Sequence, residues 1–243
     1  MKRLYVVGIG PGASDKMTVE ARNALEQCDV IAGYQVYVQF VKAWLPDKEY
    51  IVTGMTKEVD RCELALDSAA SGKQTAIVCS GDAGVYGMAS VVLELAEKYP
   101  SVEVVVVPGV TAALSGGAVL GAPIGHDFAV ISLSDLLTSW ETIEQRIRCA
   151  AMADFAICIY NPSSKNRADY LRRACEIIRE YKDKNVVCGY VKQIGRDGQC
   201  CRICTLETLA GEPVDMFTTV FIGNCETKKI GNYMVTPRGY HFE

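Results

Sequence analysis

Residues 79–87 read Cys79-Ser80-Gly81-Asp82-Ala83-Gly84-Val85-Tyr86-Gly87. They join a short apolar segment, 75–78, to a segment in which apolar residues recur with the period of a helix, 88–96. The pattern predicts a buried strand followed by a helix. Glycines at such a junction let the backbone approach a ligand, and the first helical N–H groups are free to face it. A similar turn, Val7-Gly8-Ile9-Gly10-Pro11-Gly12, follows the first apolar segment, so the sequence predicts an α/β fold with a small-molecule site.

Strand and helix signals alternate along the chain in two successive series. In the first series, short apolar segments alternate with segments of helical period, which is typical of a mostly parallel sheet covered by helices. The strands of this series are expected at residues 4–7, 30–32, 75–78 and 102–107. Thr56 is expected to cap a helix that ends at Gly72. The sequence therefore predicts a parallel N-terminal sheet.

The pattern restarts after the segment Gly121-Ala122-Pro123-Ile124-Gly125, which carries proline and glycine. The last predicted strands, at residues 186–191, 201–205 and 218–222, follow one another with little helix between them, which favours antiparallel pairing. We therefore expect two α/β lobes with the active site in the cleft between them. Residues 1–120 form the N-terminal lobe with glycine-rich cofactor loops, residues 126–243 form a C-terminal lobe with a mixed sheet, and the linker lies near 121–125.

Composition and charge exclude several classes of function. The chain has 243 residues, of which 49% are hydrophobic, and this is enough for a sizeable core. The net charge of -4 comes without a basic block, so nucleic acid is not expected as a partner. No apolar run reaches the ~18–20 residues that cross a bilayer, so no membrane association is expected.

Eleven cysteines require an explanation. Those that lie in apolar periodic segments indicate small buried hydrophobic residues in a reducing compartment, the cytoplasm; they are Cys28, Cys62, Cys79, Cys149, Cys158, Cys175 and Cys188. The segment Cys200-Cys201-Arg202-Ile203-Cys204 has a single C-x-x-C and no second ligand pair at zinc spacing. We expect it to be a strand with alternating cysteines and expect no metal site.

A dinucleotide site is the first alternative for the glycine turns. Gly8-x-Gly10-x-x-Ala13 formally matches the dinucleotide-binding fingerprint. However, Pro11 has no N–H to offer a pyrophosphate. The acidic residue expected after the second strand is also missing, because Gly33-Tyr34 stands there. These two features disfavour dinucleotide binding.

Three glycine turns together resemble the signatures of the tetrapyrrole methylase family. They are Val7-Gly8-Ile9-Gly10-Pro11-Gly12, Ser80-Gly81-Asp82-Ala83-Gly84-Val85-Tyr86-Gly87 and Val107-Pro108-Gly109-Val110-Thr111-Ala112. Each turn alone is a weak signal, whereas their order and spacing are specific. Four further stretches resemble the (cobalt-)precorrin-3B C17-methyltransferase branch: residues 54–61 (Gly54 to Arg61), 126–138, 160–167 and 236–240.

The resemblance implies the activity and the partners. Enzymes of this branch use S-adenosyl-L-methionine to methylate C17 of (cobalt-)precorrin-3B with ring contraction, in cobalamin biosynthesis. A tetrapyrrole substrate and a homodimer are therefore expected. A sister methyltransferase that acts at another ring carbon and a non-catalytic nucleotide-binding module stay open as alternatives, and the presence of cobalt in the substrate stays open too.

The resemblance also implies site residues. Those expected to hold the methyl donor are Pro11, Gly81, Asp82, Val85, Thr111, Ala112, Tyr160, Asn161 and Thr219. Asp82 is expected to act on the polar groups or the positive charge of the cofactor, and a helix N-cap is its alternative role. His126 is expected to transfer protons during ring contraction, unless it is a linker histidine bonded to Asp127.

The proposed substrate carries several carboxylates, so local cations are expected around it. Lys165 and Arg167 follow the strand that ends at Tyr160, and Arg238 lies in the terminal turn. Arginine favours a bidentate grip on a carboxylate. A solvated surface charge is the alternative role of each.

Overall fold

A five-stranded parallel sheet forms the centre of the first of two units into which the chain divides, between Ala112 and Ala113. The structure is a computed structural model and describes residues 2–240. The strands of the sheet are β1 (Lys2–Gly8), β2 (Val30–Tyr34), β3 (Glu49–Thr53), β4 (Thr75–Cys79) and β5 (Val102–Val107). The helices are α1 (Val19–Glu26), α2 (Gln35–Lys42), α3 (Glu58–Ala70), α4 (Ala89–Ala96) and α5 (Ala112–Leu120), whose first residue ends this unit.

The strand order β3-β2-β4-β1-β5 confirms the predicted parallel sheet and brings the glycine turns to one edge. Residues on alternate sides of β1 enter two separate cores, one with α1 and α2 and the other with α3 and α4. The connections that leave β1 and β4 therefore pass over opposite faces of the sheet. Ligand sites of open α/β sheets form at the carboxyl ends of such neighbouring strands.

Two elements of the first unit were not expected, and one cap was predicted wrongly. Helix α2 has eight residues and strand β3 has five, which is too short for their hydrophobic pattern to stand out in the sequence, although α2 buries Val38 and Val41. Thr56 was a candidate cap of α3, but the N-cap is Lys57, whose side chain makes no capping hydrogen bond. Thr56 instead has a φ of 60°, and its hydroxyl donates to the carbonyl of Met55 at 2.6 Å.

A mixed sheet of order β10-β9-β11-β8-β7 forms the centre of the second unit. Strands β7 and β8 are parallel, and every other pair in this sheet is antiparallel, which confirms the predicted mixed pairing. Its elements are β6 (Gly121–Ala122), β7 (Phe128–Ser132), α6 (Trp140–Met152), β8 (Ala156–Tyr160), α7 (Tyr170–Ile178), β9 (Val187–Lys192), β10 (Cys200–Thr205), α8 (Leu206–Leu209), β11 (Thr218–Ile222), β12 (Lys228–Ile230) and β13 (Tyr233–Val235).

Helices cover both faces of the mixed sheet. Helices α6, α7 and α8 pack on one face. Ala113 and Leu120 of α5 pack on the other face, together with Met234 of β13. The segment 121–125 contains β6, which pairs in parallel with β13. The placing of a domain linker there stays a prediction.

The cysteines follow the predicted burial with one exception. Six of the seven cysteines in apolar segments are buried, and burial raises the pKa of the Cys62 thiol to about 11. Cys149 is exposed, contrary to the prediction, because the inward face of α6 is formed by residues such as Ile143 and Ile147. Strand β10 lies at a sheet edge with Cys200 and Cys201 exposed and Cys204 half-buried.

Within residues 2–240, no three His, Cys, Asp or Glu side chains group as a metal site would require. No helix in the same range combines the length and the apolar composition of a membrane span.

An ion pair between a buried lysine and a partly exposed aspartate joins three segments of the second unit. The Lys182 side chain is 2% exposed, and its Nζ contacts the carboxylate of Asp154. The main-chain N–H of Cys225 donates to both carboxylate oxygens of Asp154, at 3.2 and 3.1 Å. Because the Lys182 ammonium group is shielded from water, the cost of burying its charge is offset by the carboxylate of Asp154.

We expect Asp154→Ala to lower the free energy of unfolding by about 2 kcal/mol. This is less than the ~3–5 kcal/mol for breaking a fully buried pair, because the Asp154 side chain is 39% exposed and solvent screens it. Urea unfolding measures the change. Asp169→Ala removes a surface partner of Arg172 and should change stability by at most about 0.5 kcal/mol. Equal effects of the two substitutions would contradict this account.

The ion pair of Lys182 and Asp154 predicts that the protein loses folding stability at low pH. Burial acts to raise the pKa of Asp154, but hydrogen bonds from Cys225 and Lys182 outweigh it and lower the pKa below its ordinary value. A carboxyl whose pKa is lower in the folded state stabilises the fold above its unfolded pKa of about 3.9, and this contribution is lost as pH falls through the folded pKa. Below about pH 4, the stability of Asp154→Ala should therefore fall less steeply than that of the wild type.

Candidate functional site

The glycine turns that follow β1, β4 and β5 meet in the first unit. Gly10 and Gly81 exchange two main-chain hydrogen bonds, of 2.9 and 2.8 Å. Gly109 packs against both other turns, since a Cβ placed on it would lie 2.2 Å from the carbonyl oxygen of Gly81 and 2.5 Å from that of Gly8. No real Cβ approaches a backbone oxygen so closely. Glycine at these positions therefore allows three strand ends to come together.

Asp82 ties two of these turns through backbone N–H groups. Its Oδ1 accepts from the N–H of Gly84 at 2.8 Å and of Val85 at 3.1 Å, and its Oδ2 accepts from the N–H of Gly109 at 2.9 Å. Helix α4 begins at Ala89, so the alternative role of Asp82 as the N-cap of that helix is wrong. The carboxylate instead fixes the turn after β4 to the turn after β5.

The remaining predicted cofactor residues of the first unit lie around the same turns. Pro11 directly follows Gly10, and Thr111 precedes α5, which begins at Ala112. The backbone of Gly81 is close to Thr111, with a Cβ on Gly81 coming 3.5 Å from the Thr111 Cα. These residues, together with Asp82 and Val85, are half-buried, so a ligand could reach their main chain.

Arg61 is a buried residue of this region for which no role was predicted. It is 4% exposed, yet no Asp or Glu in the described part of the chain forms an ion pair with it. Its Nε donates to the Thr53 hydroxyl at 2.7 Å, and its Nη2 donates to the carbonyl of Gly54 at 2.9 Å. Its Nη1 lies 3.8 Å from the sulfur of Met88. Arg61 thus links the end of β3 to the segment that leads into α4.

Three predicted cofactor residues belong to the second unit. The hydroxyl of Tyr160, at the end of β8, accepts from the N–H of Ala113 at 2.7 Å. Asn161 follows with a φ of 51°, and its Nδ2 donates to the Ser132 hydroxyl at 2.9 Å. Thr219 is buried in β11 opposite Val191. Tyr160 and Asn161 therefore stabilise the carboxyl edge of the β7–β8 pair and the start of α5.

The predicted substrate cations differ in their surroundings. Lys165 is exposed on the loop after β8. Arg167 on the same loop is mostly buried, with its side chain 16% exposed. Arg238 is exposed, and its guanidinium carbon lies 5.8 Å from the ring centre of Tyr240. Lys165 and Arg167 thus share one loop, whereas Arg238 lies on the segment after β13.

His126 lies away from that loop within the second unit. It precedes β7 at the amino end of the strand, whereas Asn161 and Arg167 follow the carboxyl end of the parallel strand β8. The Nδ1 of His126 accepts the N–H of Asp127 at 2.8 Å, and the ring is about half exposed. This is the contact of the alternative interpretation, and the role of His126 as an acid or base stays a prediction.

The three glycine turns together form a candidate ligand-binding edge of the first unit. Polar main-chain atoms, the Asp82 carboxylate and several glycines line the carboxyl ends of β1, β4 and β5. Such a surface suits a polar nucleoside-like ligand held by the main chain. The turn after β5 leads directly into the N-terminus of α5.

The sequence as a whole matches a known protein family. The sequence profile of the tetrapyrrole (corrin/porphyrin) methylases matches residues 3–210. The chain is 46% identical to a probable cobalt-factor III C(17)-methyltransferase of Salmonella typhimurium, covering 98% of this chain and 99% of that protein. It is 39% identical to a precorrin-3B C(17)-methyltransferase of a Sinorhizobium species, covering 98% and 96%. Some relatives are longer, since the chain spans 45% of the cobalt-factor III methyltransferase of Priestia megaterium.

Solved structures of methyltransferases have a similar fold. The methyltransferase CobJ superimposes with a TM-score of 0.91 at 37% identity, covering 98% of this chain and 100% of CobJ. A uroporphyrin-III C-methyltransferase of Thermus thermophilus, in complex with S-adenyl homocysteine, superimposes with a TM-score of 0.71 at 20% identity. The superposition covers 91% of this chain and 97% of that structure. At 20% identity, the similarity shows the fold alone.

Proposed function

The chain belongs to the tetrapyrrole (corrin/porphyrin) methylases, and we propose that it transfers a methyl group from S-adenosyl-L-methionine to C17 of cobalt-factor III or precorrin-3B. The step belongs to cobalamin biosynthesis and accompanies contraction of the ring. The observation that carries the proposal is the meeting of the turns at Gly10, Gly81 and Gly109 in a chain so similar to C17-methyltransferases. A homodimer, a cytoplasmic location and the presence of cobalt in the substrate remain predictions.

The turns of the first unit fit the methyl donor. S-adenosyl-L-methionine supplies an electrophilic methyl group on a positively charged sulfur. Polar main-chain groups beside Gly81 and Thr111 can hold the nucleoside and amino-acid parts of this molecule, and Asp82 adds a negative charge close by. Pro11, Val85, Ala112, Tyr160, Asn161 and Thr219 complete the proposed cofactor residues.

The chain's own contribution to the reaction is positioning. An electron-rich ring carbon needs no nucleophilic side chain, so catalysis depends on holding the two reactants close and in line. Rigid backbone supports this, because the hydrogen bonds of Gly10, Gly81 and Asp82 allow little movement of the turns. Lys165, Arg167 and Arg238 are the proposed partners of the substrate's carboxylates.

A methylation assay tests the proposed function. The protein is incubated with S-adenosyl-L-methionine and cobalt-factor III, and the product is followed by mass spectrometry and by NMR with a carbon-13 methyl group. We expect one added methyl group, located at C17. A methyl group at another ring carbon would support a sister methyltransferase instead.

Calorimetry distinguishes the enzyme from a nucleotide-binding module. Titration with S-adenosylhomocysteine should show binding, and titrations with ATP and NAD should show affinities at least about 100-fold weaker, since main-chain recognition is specific in shape. An affinity for ATP or NAD that equals or exceeds that for S-adenosylhomocysteine would reject the methyltransferase proposal.

A further inference from the structure

Arg167 combines burial with unused hydrogen-bond donors. Its Nη1 is buried and makes no hydrogen bond, and its Nη2 makes none within residues 2–240. Its Nε donates to the Ser164 hydroxyl at 3.0 Å, and its main-chain N–H donates to the Ser164 carbonyl at 3.0 Å. The turn at 164–167 therefore fixes the guanidinium while leaving its terminal donors available. A buried donor without a partner is rare enough to need an explanation.

Asp135 compensates the charge of Arg167 without using those donors. The Oδ1 of Asp135 lies 3.6 Å from Nη1 of Arg167, which is close enough for ionic attraction and too long for a hydrogen bond. The Oδ2 of Asp135 accepts from the Tyr170 hydroxyl at 2.5 Å. Asp135 thus steadies the guanidinium from the side of the buried nitrogen.

Aromatic packing holds Asp135 in place. The hydrogen bond to Asp135 raises the pKa of Tyr170, so its hydroxyl stays a donor at neutral pH. The Tyr170 ring packs on Trp140 with the ring centres 4.6 Å apart, and the guanidinium of Arg173 lies 4.0 Å from the Trp140 ring centre. The hydrogen bond between Asp135 and Tyr170 thereby ties the loop after β7 to the start of α7. The packed ring of Tyr170 sets the position of Asp135.

Two exposed apolar residues follow Asp135 directly. Leu136 is 72% exposed and Leu137 is fully exposed. Adjacent exposed leucines beside a cation with unused donors match a ligand that has an apolar surface and acidic arms. A tetrapyrrole with carboxylate side chains has this combination.

We propose that Asp135 is a positioning residue that holds Arg167 so that its free donors bind one carboxylate arm of the tetrapyrrole. The inference rests on the proposed function and adds to it the residues that orient the cation. Asp135 itself does not touch the substrate. Tyr170 acts one step further away, since it fixes Asp135.

Steady-state kinetics with cobalt-factor III tests the proposal. Arg167→Lys keeps the charge and loses the planar fork, so the KM for cobalt-factor III should rise about tenfold. Asp135→Asn should raise the same KM about threefold in the wild type and leave it unchanged in the Arg167→Lys background, because Asp135 acts through Arg167. In all variants, the Kd of S-adenosylhomocysteine should stay within about twofold of the wild-type value.

The direction of the change in KM for Asp135→Asn is decisive. Removal of a negative charge near an anionic substrate would by itself lower KM, so a lower KM for Asp135→Asn would overturn the positioning role. Arg172→Lys is the matched control, because Arg172 lies on the same helix and pairs on the surface with Asp169 and Glu176. Methylation by the wild type with an unchanged KM in Arg167→Lys would reject this inference alone. Absence of methylation by the wild type would reject the proposed function.

Discussion

Substitution of Gly109 by alanine is expected to disrupt the junction of the glycine turns more than a methyl group added at any other position of the junction would. The added Cβ would lie 2.2 Å from the carbonyl oxygen of Gly81 and 2.5 Å from that of Gly8. Both oxygens belong to the backbone, so no side chain can turn aside to make room. We expect the free energy of unfolding to fall by roughly 3 kcal/mol or more, at the upper end of overpacking effects.

The same substitution should also weaken cofactor binding. Relief of the clash must move the turn after β5 away from the turns after β1 and β4, and the N–H of Gly109 would then leave Asp82. If the three turns bind the cofactor, the Kd of S-adenosylhomocysteine should rise by at least about tenfold. Urea unfolding and calorimetry measure the two effects.

Gly54→Ala is the matched control for Gly109→Ala. No atom lies within 4 Å of a Cβ placed on Gly54, whose φ is outside the left-handed region. Its unfolding free energy and its cofactor affinity should stay close to those of the wild type. If Gly109→Ala behaved like this control, the close packing of the turns would be wrong.

The glycine turns were predictable because glycine spacing and strand order are local signals. The runs at 4–7, 75–78 and 102–107 each precede a glycine turn, and parallel strands place such turns on one edge. The meeting of Gly8, Gly81 and Gly109 then follows from the strand order, which brings β1 between β4 and β5.

Other features depend on tertiary contacts that no local pattern encodes. The bond from Gly109 to Asp82 joins residues 27 positions apart, so the sequence offered only a local cap as the alternative role of Asp82. Arg61 resembles a surface residue in sequence, yet it is buried against the end of β3. The relation between Asp135 and Arg167 depends on the parallel pairing of β7 and β8, which places the loops after both strands at one edge.

Asp82→Ala is expected to lower stability and cofactor affinity together. The carboxylate accepts three main-chain N–H groups, and its removal leaves the Gly84, Val85 and Gly109 donors without this partner. Hydrogen bonds to charged groups contribute about 1.5–3 kcal/mol each, and solvent can replace some of them at this half-buried site. We expect a loss of about 3 kcal/mol in urea unfolding. Asp60→Ala removes an exposed carboxylate paired with Lys57, and it should change stability by at most about 0.5 kcal/mol.

Asp82→Asn separates a direct electrostatic role from the structural one. The amide keeps the shape of the side chain but removes its charge. S-adenosyl-L-methionine carries a positive sulfonium, whereas the sulfur of S-adenosylhomocysteine is neutral. If the carboxylate acts on the sulfonium, Asp82→Asn should weaken binding of S-adenosyl-L-methionine about tenfold more than binding of S-adenosylhomocysteine, because a charge interaction is lost only with the first ligand. If calorimetry shows the same loss of affinity for both ligands, a direct action of Asp82 on the sulfonium charge will be wrong.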